Sequence, residues 1–236
     1  MKLILGSESI FRKRLLERAG FEDFEVIAPR IDEKAIRDED PKQLVLKLGI
    51  AKSMAVENNI NSLKDHLGLD AREFIIITSD QVAVRERDGA ILEKPLTKNN
   101  LPDKDMAVAY LRSYIDSPVI FYTSLVCYHV AKKLRTSQVV ENWVEFLPFS
   151  ESEIKKLVSW GSTYKACGAL AGGIPGDPAS EIVDSHIVGL SGDPTAVVGL
   201  PIAALKSYLR AIDFPVPRAT FSPFTFGPMS HVKSRC

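Results

Sequence analysis

The best candidate for chemistry sits at the end of one apolar run. Phe74-Ile75-Ile76-Ile77 leads through Thr78-Ser79 to Asp80 and Gln81, and Glu93-Lys94-Pro95 follows a short gap later. Four apolar residues running into Ser-Asp-Gln read as a buried strand whose end presents a carboxylate. Such a carboxylate is costly unless it meets a metal, a cation or water. Val82-Ala83-Val84 continues as strand, Asp88-Gly89 supplies a hairpin turn, and Ile91-Leu92 returns the chain. With Asp88 and Gly89 at the centre of the turn, Lys94 lies opposite Ala83, roughly 10 Å along the strand from Asp80 and on the other face. A bulge or a longer turn would restore the parity. A hairpin with an incidental Asp and a solvated Lys fits the same spacing equally well.

Three more groups have the right residue types. Ser7-Glu8-Ser9 separates a short strand, Leu3-Ile4-Leu5-Gly6, from a helix running from Ile10 to Ala19 with Gly20 as its stop. Hydroxyls and unpaired backbone N–H groups at such a helix start hold an oxyanion. Arg12, Lys13 and Arg14 crowd the first turn, where the macrodipole disfavours cations; a bound phosphate would offset this, and so would Glu8 and Glu17 on a solvated turn. Asp32-Glu33, after the strand Phe24–Ala28, suits a hard cation or a solvated loop. Lys52 falls on the stripe of a helix opened by Asp40-Pro41 and carried to about Glu57, with Leu44, Leu48 and Ala55 on the stripe and Val45 and Ala51 beside it. It either snorkels past the core edge or points its ammonium into a cleft.

The remaining elements form a frame for these groups. Asn58 to Arg72 reads as a polar connection, and Leu101 to Tyr114 as a helix with Met106, Ala109, Tyr110 and Ser113 along one face. Val119–Val130 and Val139–Phe146 are strands paired across a turn near Lys132, with Trp143 in the core. Ser150 and Glu153 have capping-box spacing for a helix through Trp160. Small residues dominate Lys165–Gly173, Ile182–Leu190 reads as a strand containing His186, and Pro201 opens a last helix striped by Ile202, Leu205, Leu209 and Ile212. From Asp213 the chain turns Pro- and Phe-rich without periodicity: a disordered tail, or one laid extended over an apolar surface.

Composition bounds the function. The 236 residues are 45% hydrophobic and 25% charged with zero formal net charge, enough for one large domain or two lobes. Balanced charge gives no long-range pull towards a nucleic acid polymer or an anionic membrane. Three scattered cysteines and four scattered histidines have no zinc spacing and point to a reduced compartment. Without a long apolar stretch or a cleavable signal, the expectation is a soluble cytoplasmic protein.

Taken in order, several of these pieces resemble the Maf family of nucleoside triphosphate pyrophosphatases: Leu3-Ile-Leu-Gly-Ser7-x-Ser9-x-x-Arg12-Lys13, Ile31-Asp32-Glu33, Ala51-Lys52, Ser79-Asp80-Gln81, Glu93-Lys94-Pro95, Tyr122-Thr123-Ser124, Lys165-Ala-Cys-Gly168 and Val198-Gly199-Leu200-Pro201. The resemblance spans residues 1–212, leaves 213–236 as a C-terminal extension, and is greatest to the branch that includes the 7-methyl-GTP pyrophosphatases. It implies an α/β fold: a central mixed, elongated and twisted sheet, flanking helices, and two lobes around a cleft, as also in inosine-triphosphate pyrophosphatases. It implies hydrolysis of a nucleoside triphosphate to a monophosphate and pyrophosphate with Mg²⁺ or Mn²⁺. Asp80 matches the proton acceptor and Lys94 the catalytic lysine. Ser7, Arg12, Lys13 and Lys52 match phosphate contacts, and Glu33 and Asp80 the carboxylates at the metal. Phe11 stands where it can stack on a base, and Gln81 is a further substrate contact. Ile10, Phe11 and Lys13 depart from the usual residues, and Gly173 stands where relatives carry Gln or Glu. The family also suggests a nucleotide-binding regulator of cell division that needs no catalysis. Homodimers are common in the family; this sequence neither requires nor forbids one.

Overall fold

The computed structural model describes residues 1–59 and 74–224. The expected connection at Asn58–Arg72 falls almost wholly outside the described residues, as does the tail beyond Phe224. The fold is α/β. Its mixed sheet of eight strands comprises β1 (Lys2–Leu5), β2 (Phe24–Val26), β3 (Phe74–Thr78), β4 (Gln81–Arg85), β5 (Ile91–Leu92), β6 (Val119–His129), β7 (Leu134–Phe146) and β8 (Ile187–Leu190). The order is β2-β1-β3-β6-β4-β5, with β7 on β6 and β8 on β7. Among the described residues the helices are α1 (Ile10–Arg18), α2 (Pro41–Asn58), α3 (Lys104–Ser113), α4 (Glu151–Leu157), α5 (Pro178–Ser185), α6 (Pro194–Val198) and α7 (Ile202–Ala211).

The chain forms two compact units. The first takes residues 1–80, 123–140 and 199–221. Here β1 pairs in parallel with β2 and β3, so a crossover must intervene each time, and α1 and α2 supply them. Ile75–Ile77 and Leu3–Leu5 are buried throughout, which explains the continuous apolar runs. Ile4, Val56, Phe74, Ile76 and Tyr128 close one core cluster. Each such aliphatic side chain contributes about 2 kcal/mol on burial.

The second unit takes residues 81–122, 141–198 and those from 222 on. Its aromatic row runs from Tyr114 to Phe146 (5.8 Å) and Phe149 (6.1 Å), and ends where His186 stacks on Phe149 at 4.5 Å.

Most elements stand where periodicity puts them, and the departures have local causes. The buried face of α3 is Ala107 and Leu111, continued by Tyr114, not the Met106–Ala109–Tyr110–Ser113 face; Met106 to Leu111 is apolar at every position, so periodicity selects no face. Ile182 and Val183 belong to α5, which Asp177 caps by accepting from the N–H of Ala179 and Ser180, with Pro178 opening its first turn. Only Ile187–Leu190 is strand. The β4–β5 hairpin pairs Ala83 with Leu92 and Val84 with Ile91, two residues away from the register expected for a tight Asp88-Gly89 turn. The Arg85 guanidinium, by donating to Asp88 at 2.6 and 2.9 Å, builds the longer loop.

Candidate active site

Parallel pairing brings the chemistry of the first unit together. Leu5 is level with Ile77, and Gly6 N–H donates to Ile77 O at 2.8 Å, so the loops after β1 and β3 leave the same end of the sheet. That end, outside the carboxyl termini of parallel strands, is where open α/β sheets bind ligands. The first loop carries Ser7 and leads to Arg12; the second carries Ser79 and Asp80.

Ser7 is buried, and its Oγ accepts from Ser9 N–H at 3.2 Å and from Arg12 Nη1 at 3.3 Å. Arg12 Nε donates to Gly199 O at 2.8 Å, and Ser79 Oγ donates to the same carbonyl at 2.8 Å. The guanidinium is thereby held beside the start of α1, where backbone N–H groups lack helical partners. Cation, hydroxyl and helix start together suit a phosphate.

Lys52 reaches this end from α2. The buried stripe of that helix is Leu44, Val45, Leu48, Gly49, Lys52, Ser53 and Val56, so the lysine is carried inward rather than along the surface, while Ala55 is only half-buried. Its ammonium donates to Asp80 Oδ1 and pairs with Glu33 Oε1 at 2.8 Å. Lys52 and Asp80 side chains are 5% and 10% exposed, Glu33 47%. A half-exposed and a buried carboxylate thus share one buried cation, leaving a net negative charge that favours a further cation. Asp80 is fixed by its backbone: its N–H donates to Ser124 Oγ at 2.9 Å, and Ser124 N–H donates to Asp80 O at 2.8 Å.

Of the other expected residues, two lie on α1 and two in the second unit. Lys13 is exposed and pairs with Glu17 at 3.7 Å along α1. Phe11 is buried, 7% exposed, on the core side of the same helix. Gln81 and Lys94 belong to the second unit. Gln81 Nε2 donates to Ala196 O at 2.7 Å and Val197 O at 3.0 Å, and its Oε1 accepts from Cys167 Sγ at 3.2 Å. That amide fastens α6 to β4. Lys94 is exposed just beyond β5. The observed register, carried on two residues, sets position 94 level with position 81 instead of Ala83.

Ser79 and Ser124 hold the site together without belonging to its expected residues. The sequence signal for Ser124 is a hydroxyl pair inside an otherwise apolar strand: Thr123 and Ser124 are fully buried. Gly173 has φ +78°, and a Cβ there would lie 2.4 Å from Val198 Cγ2. Phe224 is 4% exposed and packs against both Gly172 and Gly173. A side chain at Gly173 would be strained by the backbone and crowded by Val198.

The family model of Maf-like proteins matches residues 2–212, and the chain belongs to that family. Among similar chains, the 7-methyl-GTP pyrophosphatase of Idiomarina loihiensis is 35% identical over 211 residues, covering 89% of this chain and 94% of that one. The 7-methyl-GTP pyrophosphatase of Dictyostelium discoideum is 33% identical over 214 residues, covering 89% and 96%. That of Burkholderia orbicola is 32% identical over 215 residues, covering 91% of each.

Proposed function

We propose that this chain is a nucleoside triphosphate pyrophosphatase that takes 7-methyl-GTP-type nucleotides and releases a nucleoside monophosphate and pyrophosphate. The observation that carries this reading is the cluster of Arg12, Ser7, Lys52, Glu33 and Asp80 at one end of the first unit's sheet. A triphosphate bears about four negative charges near neutral pH, and stabilising the charge that builds on the reacting phosphorus is the main catalytic task. Arg12 and the Ser7 hydroxyl bind and orient the phosphates. Asp80, held by Ser124, positions the attacking water and accepts its proton.

Glu33 and Asp80 fit a divalent cation: they already converge on a single positive group, and Mg²⁺ takes one or two carboxylates together with water and substrate phosphates. Bound there, Mg²⁺ or Mn²⁺ would neutralise phosphate charge and acidify water. Lys52 then serves either the carboxylates or the phosphates.

Balanced charge supports a small-molecule substrate rather than a nucleic acid polymer. Cys127 and Cys167, buried and free, support a cytoplasmic setting, and no helix among the described residues is long and apolar enough to cross a membrane.

The test is a panel of methylated and unmodified triphosphates assayed for pyrophosphate with Mg²⁺, using the wild type and Asp80→Asn. The variant should lose at least about 10²-fold in turnover, the scale of a lost general base. An equally active variant would remove Asp80 from the mechanism, and tight nucleotide binding without turnover in the wild type would favour a purely binding role.

A further inference from the structure

The match to the family model ends at residue 212, yet residues 213–221 are built into the first unit. Asp213, at φ +58°, turns the chain off the end of α7: its N–H donates to Arg210 O at 3.1 Å, and Phe214 N–H donates to Leu209 O at 2.9 Å. The segment then meets two helices. Lys206, buried on α7, donates to Pro217 O at 3.0 Å and to Ala219 O at 2.6 Å. Pro217 lies against Gly20, just past the end of α1; a Cβ on that glycine, whose φ is +90°, would come within 2.8 Å of the proline Cβ. The Arg18 guanidinium, in the last turn of α1, sits 4.6 Å over the Phe221 ring, a cation–π distance. The Lys206 ammonium is 6.0 Å from the ring of Phe21.

These contacts fasten the C-terminal end of α1. Its first half is fastened to the same stretch of chain, because Arg12 Nε donates to Gly199 O two residues before Pro201 caps α7. Thus α1 is clamped at one end by the approach to α7 and at the other by the segment that leaves it. A nine-residue helix about 13 Å long moves as a rod, so freedom at Arg18 becomes tilt at Arg12.

We propose that residues 213–221 are a strap that sets the position of α1 and, through it, of the Arg12 guanidinium and its Ser7 partner, with Lys206 and Phe221 as positioning residues. This rests on the reading of Arg12 as a phosphate ligand. Arg12 meets the phosphates before and during reaction alike, so loosening it weakens substrate and transition state together, which raises KM and spares kcat.

The test uses full-length Phe221→Ala, Lys206→Met and Phe221→Tyr, the last keeping an aromatic face under Arg18. Two readouts are taken: amide hydrogen exchange of residues 13–20, and the kinetics of pyrophosphate release. Phe221→Ala and Lys206→Met should each raise exchange in α1 about tenfold, raise KM about five- to tenfold and leave kcat within about twofold, and Phe221→Tyr should restore both readouts. Unchanged exchange in α1 would overturn the strap, as would a fall in kcat with KM unaltered. If the wild type released no pyrophosphate from any triphosphate, the function reading would fall on its own, and α1 exchange would still decide the strap.

Discussion

At the residue scale the decisive group is Lys52. A lysine on an apolar helical stripe has two outcomes, and here the ammonium ends between Asp80 and Glu33. Breaking a buried pair strands the remaining charge, so Lys52→Met should destabilise the protein by about 3 kcal/mol in urea unfolding. The double variant with Asp80→Asn should recover part of that loss, since the stranded carboxylate is gone. His129 offers a second reading. It is 5% exposed at the end of β6; burial, with nearby Lys132 second, holds its imidazole below the ordinary 6.5. The folded state therefore binds this proton less readily than the unfolded one. Stability present above about pH 6.5 should be lost as pH falls through that value towards the lower folded one. Urea midpoints taken at pH 8 and pH 5 should differ more for the wild type than for His129→Gln; equal differences would exclude the histidine as a source.

At the element scale, caps decided what periodicity left open. Ser150 and Glu153 form a complete capping box at α4: Ser150 Oγ accepts from Glu153 N–H, and the Glu153 side chain accepts from Ser150 N–H at 2.8 Å. Ser150→Ala should cost about 1 kcal/mol, read as a lower thermal midpoint. The capping box was legible because both partners are local. The Asp177-Pro178 start of α5 was equally local, but the apolar Ile182-Val183 beyond it fits either period, and the strand reading ran through the helix. The β1 and β3 runs were plain because both their faces are buried; the hairpin register was not, because an Arg85–Asp88 ion pair sets the loop. Of the site, Arg12 and Asp80 could be named from the order of the motifs. Their partners Gly199 and Ser124 lie 187 and 44 residues away, and no local pattern encodes that.

On the scale of the molecule, the two compact units interleave in sequence, with chain boundaries after residues 80, 122, 140, 198 and 221. No composition shift marks the boundaries within β6 and β7, because each strand runs through its own boundary without a break in its pattern. The C-terminal extension is shared as well: 213–221 pack with the first unit, while Phe224 seats on Gly172 and Gly173 of the second. Divalent metal is expected to be essential to the whole. Chelation with EDTA should abolish pyrophosphate release, and added Mg²⁺ or Mn²⁺ should restore it, while Glu33→Gln should raise the metal concentration needed for half-maximal rate.

The most direct measurement is the product balance from 7-methyl-GTP incubated with the purified chain and Mg²⁺. One pyrophosphate and one 7-methyl-GMP are expected per turnover, with no inorganic phosphate. Release of phosphate and a nucleoside diphosphate would place the cleavage at the wrong bond and contradict that expectation.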